Sequence, residues 1–129
     1  MAKGYARTGR LETVVARMRA LSLAALKSGG PRLMQELTAS PAAGDRLAAI
    51  VILEMSPDPQ WLTWLADRLA AEPPFAGYHA ALALERAADQ LSDAAVGPSL
   101  ERAIAGLGER PETDRHAVLT RALARMQRS

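Results

Sequence analysis

The chain offers few side chains for catalysis, and two of them are histidines in similar surroundings. His79 opens the run HAALALERAADQ, and His116 stands second in RHAVLTRALARM. An imidazole in such a run could act as a general base or a metal ligand. A zinc site takes three or four protein ligands, however, and the sequence has no cysteine, no HExxH and no clustered spacing of His and carboxylates. His79 is therefore expected as an amphipathic residue at a buried helix start, hydrogen-bonded to backbone or a neighbouring turn. The serines form no GxSxG elbow, and Ser28 and Ser40, beside Gly29 and Pro41, read as helix-end residues. GLGER at 106–110 follows a helical segment, not a strand, so it reads as a helix stop and not as a phosphate cradle. Glu54 and Glu85 each close an apolar run. A paired-acid site is the chemical alternative there, and helix-end solvation or a partner in Arg46 or Arg86 is the reading adopted. No catalytic, cofactor-binding or metal-ligating residue is assigned, and the chain is expected not to be an enzyme.

The elements that would position these residues follow from composition and punctuation. At 129 residues the chain fits one domain with a sizeable core. Apolar residues make up 49% but aromatics only 4%, so alanine and leucine carry the hydrophobicity, which favours closely packed helices over sheets. The expected class is all-α, with about seven helices in antiparallel pairs. An amphipathic N-terminal helix and a short helix occupy 9–38. In the first, Leu11, Val14, Val15, Met18, Leu21 and Ala25 share a face, with Arg10, Arg17 and Lys27 on the other side. A first helix pair over 41–71 opens with Ser40 as cap and Pro41 at the first position, and its second member opens at Asp58 and Pro59. That second member carries a stripe of Trp61, Leu62, Leu65 and Leu69, with Trp61 in the core and Trp64 at its edge. A second pair fills 74–107, with Ser92 as a cap and Gly97 and Pro98 able to delay or kink its last helix. A final helix over 113–128 is capped by Thr113. Leu47–Leu53 and the run from Phe75 are apolar on nearly every face, which predicts burial on most sides.

An internal repeat ties these pieces together. LAAIVILE overlays YHAALALE at an offset of 31, and YHAALALE overlays RHAVLTRAL at 37, each run opening a helical unit. Helix pairs recurring at this period are the pattern of α-solenoids, in which stacking completes a core that no single unit can bury. The register accounts for both imidazoles without chemistry. The segment GDRLAAIVILEMSPDPQWLTWLADRLAAEPPFAGYHAALALERAA, residues 44–88, resembles a HEAT repeat pair. It is similar to small helical accessory modules found with bacterial signalling and conflict-system effectors such as TIR, caspase-like or trypsin-like proteins. The resemblance implies a short HEAT-like α-solenoid serving as a protein–protein adaptor in a bacterial multi-protein signalling or defence system, with no catalytic residues to carry over.

Charge is distributed unevenly along the chain. Residues 1–35 carry seven Lys or Arg against one Glu, residues 36–109 carry four against eleven acids, and residues 110–129 carry five against two. For the basic N-terminal helix three readings stand side by side: a solvated face, a contact with an acidic partner, and nucleic-acid binding. The last is the alternative function, and it would use Arg7, Arg10, Arg17, Arg19 and Lys27. The residues assigned to a protein partner are Trp64 and Arg68, an aromatic and arginine combination enriched at interface hot spots, together with Arg10, Arg17 and Lys27. No apolar run approaches the roughly 20 residues of a membrane span, and no signal core follows the basic start, so a cytoplasmic location is expected.

Overall fold

A computed structural model of the protein describes residues 32–107 and 114–127, together with Thr13, Ala16, Arg17, Arg19 and Ala20. Among the described residues there are helices and no strand, in keeping with the all-α class. The chain divides into two compact units, Met1–Ile52 and Leu53–Ser129.

In the first unit the described residues between 13 and 20 are helical, and a helix over 32–39, here α1, buries Met34. Thr38 closes α1 by donating its hydroxyl back to the Met34 carbonyl at 2.8 Å, a local bond that competes with continuing the helix. Helix α2, Ala43–Met55, starts two residues after the expected first position at Pro41, so Pro41 and Ala42 lie ahead of the helix. The Ser40 hydroxyl accepts from the Ala42 amide at 3.1 Å and donates to the Asp45 carboxylate at 2.8 Å, placing an acid in the first turn, where the helix dipole favours it. Ala49 to Leu53 are all buried, five consecutive residues and therefore every side of the helix, as the unbroken apolar run requires.

Among the described residues the second unit follows the end of α2 with a 3-10 turn and four helices. A 3-10 turn, Pro59–Trp61, leads into α3, Leu62–Ala71; α4 spans Pro74–Gln90, α5 Asp93–Leu107 and α6 Asp114–Gln127. Asp58 accepts from the Gln60 amide at 2.9 Å with Pro59 behind it, which fixes the turn. This turn corrects one expectation: Trp61 ends the 3-10 turn outside α3 and is only half-buried, while Leu62, Leu65, Ala66 and Leu69 form the buried stripe. Three residues per turn in place of 3.6 shift the phase, so a stripe extrapolated back through Trp61 misplaces it. Pro73 is the N-cap of α4 and Pro74 its first residue, and Ser92 caps α5 by accepting from the Ala95 amide at 3.3 Å. Neither Gly97 nor Pro98 delays α5, which runs through both.

Helix α3 packs on α4 and α5, α4 on α5 and α6, and α5 on α6. Each helix thus meets the next and the next but one. Helix α4 lies against three neighbours and buries Ala76, Gly77, His79, Ala80, Ala81, Ala83, Leu84 and Ala87. Its small side chains let three helices approach closely at interior packing density. No described helix is long and apolar enough to cross a membrane. Thr113 lies outside the described residues.

Candidate partner-binding surface

The carboxylates left open by the sequence find their partners across helices. Glu54, in the last turn of α2, places Oε2 at 3.0 Å from Nδ1 of His79 on α4. An ionised carboxylate only accepts, so the Nδ1 proton donates to it. The His79 ring is 2% exposed and meets Phe75 and Tyr78 edge-on, with ring centroids 4.9 and 5.9 Å away. The buried helix position expected for His79 is correct, and its Nδ1 meets a carboxylate from another helix. His116 differs: it is half-buried, and its Nδ1 lies 3.3 Å from the Thr120 hydroxyl one turn on. The repeat register therefore does not give the two imidazoles one environment. Glu85, the counterpart of Glu54 in the overlay, is bound by Arg121 at 2.8 Å and Arg125 at 3.3 Å, both on α6, and not by Arg86. Arg86 instead donates to the Glu54 carbonyl at 3.4 Å.

A third bridge joins α3 to α5. Arg102 holds Asp67 with Nε at 2.8 Å and Nη2 at 3.2 Å. The hydrogen bond from this guanidinium keeps the Asp67 carboxyl below its ordinary range, and Asp67 in turn raises Arg102. Glu85 raises Arg121 in the same way, chiefly through the hydrogen bond between them.

The aromatic and arginine pair picked from the sequence does come together. Trp64 is half-buried on α3, and the Arg68 guanidinium carbon lies 5.8 Å from the centre of its ring, within reach of a cation–π contact. Arg68 also binds Glu72 at 3.2 Å, and the Glu72 side chain is 1% exposed against 26% for Arg68. Arg68 thus neutralises a buried carboxylate while both it and Trp64 stay only half-buried. Arg17 is exposed on a helix beside Thr13, Ala16 and Ala20, also exposed at i, i+3, i+4, i+7 spacing, so it lies on the solvent side where the sequence placed it. Arg10 and Lys27 lie outside the described residues, as does Arg7. Among the described residues no three His, Asp or Glu side chains converge as metal ligands would.

One junction escaped sequence reasoning entirely. Arg115, in the first turn of α6, donates Nη1 to the Leu69 carbonyl at 3.0 Å, capping a free carbonyl near the end of α3. It passes over Gly77 of α4, where a Cβ would stand 2.9 Å from the Leu69 oxygen and 3.0 Å from Arg115 Nη1. Only glycine leaves that passage open. Comparison with protein-family models, with curated proteins and with solved structures finds no match for this chain.

Proposed function

We propose that the chain is a non-enzymatic, HEAT-like helical-repeat module that binds another protein as an adaptor. The observation that carries this reading is the packing of each helix on the next and the next but one, as a two-layer stack of helix pairs requires. The two next-but-one steps, α3 to α5 and α4 to α6, are bridged by the ion pairs Asp67–Arg102 and Glu85–Arg121, and Glu54 is hydrogen-bonded to His79. Trp64 with Arg68 supplies an anchor of the kind that dominates interface energetics. A cytoplasmic adaptor of a bacterial signalling or defence assembly is the setting this reading fits. The test is affinity capture from native lysate with the intact chain and its Trp64→Ala variant. A specific protein retained by the first, with affinity lower by about 2 kcal/mol or more for the second at unchanged melting temperature, supports the reading. Equal retention by both, or no protein retained, contradicts it.

The exposed Arg17 in a strongly basic segment favours a second reading, nucleic-acid binding. It requires retarded DNA or RNA mobility that weakens steeply with salt, and no shift at low salt removes it.

A further inference from the structure

Helix α6 is held differently from its neighbours. Its fully covered apolar side chains among the described residues are Val118, Leu119 and Ala122, a narrow stripe at i, i+1, i+4. Beside it Leu123, Ala124 and Met126 are half-buried, and polar contacts add to the attachment: Arg115 on the Leu69 carbonyl, Arg121 and Arg125 on Glu85, and Arg125 on Asp89 at 3.3 Å. Arg121 and Arg125 are 58% and 44% exposed, so water and salt weaken their hold. The seam is also imperfectly closed. A notch of about 180 Å³ lies along it, lined by Ala88, Asp89, Asp93, Ala122, Arg125 and Met126.

We propose that α6 is a displaceable occupant of the face formed by α4 and α5, and that this face takes a basic amphipathic helix from a partner protein. The rim carboxylates Glu85 and Asp89 select arginines spaced one turn apart, and the apolar floor that receives Val118, Leu119 and Ala122 takes the partner's apolar stripe, a helix-in-groove mode. This deepens the adaptor reading and rests on it, because an adaptor needs a second face besides the one at Trp64.

The probe is a labelled synthetic peptide with the sequence DRHAVLTRALARMQ, added to the full chain and followed by fluorescence anisotropy. In the wild type the peptide competes with the in-chain helix, so apparent affinity is reduced by the fraction of molecules in which α6 is closed. The Arg121→Gln/Arg125→Gln chain binds the peptide about three- to tenfold more tightly than wild type. Leu119→Ala, which weakens α6 without touching charge, tightens binding by at least about tenfold. A peptide with glutamate in place of both arginines loses this binding. Circular dichroism establishes that each variant keeps its helices, and the wild-type chain in rising salt gives a further measurement that needs no variant. Variants that bind the peptide no tighter than wild type, or a charge-swapped peptide that binds equally well, overturn the proposal. Capture of a partner through Trp64 is unaffected by these α6 substitutions, so the two readings fail separately.

Discussion

Helices α4 and α6 start from related sequence and reach opposite conditions. His79 and His116 stand at the same offset in runs that overlay, each followed by Ala and a leucine-bearing stretch. In α4 that stretch is AALAL, small and apolar throughout, and three helices close around it. In α6 it is AVLTRAL, interrupted by Thr120 and Arg121, both exposed, and the helix packs on α4 and α5 and touches α3 through Arg115. One histidine consequently becomes a buried member of a cross-helix pair and the other a half-exposed surface residue. Local similarity sets the helix, and the number of neighbours sets what its side chains do.

The comparison breaks most visibly in the core. Leu84→Ala, at a fully buried position on α4, should cost about 3 to 5 kcal/mol of global stability in denaturant unfolding. Leu119→Ala on α6, equally buried, should cost closer to about 2 kcal/mol because a one-sided helix can shift to close the cavity. Equal losses would mean that α6 is as firmly embedded as α4.

The histidines sharpen the same contrast. His79→Ala removes a buried ring and one of the contacts of Glu54, which should cost about 2 to 3 kcal/mol, whereas His116→Ala should stay within about 0.5 kcal/mol. Thermal melting of the two variants decides this. Next comes Gly77→Ala, whose methyl would displace Arg115 or the end of α3, for a loss of about 1 to 2 kcal/mol. Combining it with Arg115→Ala should recover part of that loss, and additive effects would show that the glycine matters for another reason.

The smallest expected effect is a pH dependence at the α3–α5 bridge. The folded Asp67 carboxyl is held below its ordinary value, so the unfolded chain binds the proton more readily. Its contribution is complete above the ordinary carboxylate range and is lost as pH falls through the lowered folded value. Asp67→Asn should therefore lower the melting temperature slightly near neutrality and converge with wild type in acid. An offset that persists unchanged to low pH would assign the effect to something other than this pair.

Much of the helical scaffold could be read directly. The Ser40, Asp58 and Ser92 signals and the proline breaks mark the helix boundaries to within a few residues: each side chain accepts a nearby amide, although α2 starts at Ala43 and Asp58 caps the 3-10 turn ahead of α3. Trp61 was misplaced because a 3-10 turn changes phase without changing composition. The Arg68–Glu72 pair was legible in principle, since i, i+4 spacing puts both on one helix face. The bridges from Glu54, Asp67 and Glu85 were not, because they join residues 25, 35 and 36 positions apart. Arg115 on Leu69, 46 positions apart, is further still. Such pairs exist only once helices stack, and no local pattern encodes which arginine arrives.

The most direct test of the contrast is native-state hydrogen exchange resolved by helix, followed through low concentrations of denaturant. The account predicts that α4 amides exchange only through global unfolding, with the full denaturant sensitivity of that event. It predicts that α6 amides exchange at least about tenfold faster, through a partial opening with only a fraction of the denaturant sensitivity of global unfolding. If α4 and α6 exchange together with the same sensitivity, α6 is part of one cooperative core and the distinction drawn between the two helices is wrong.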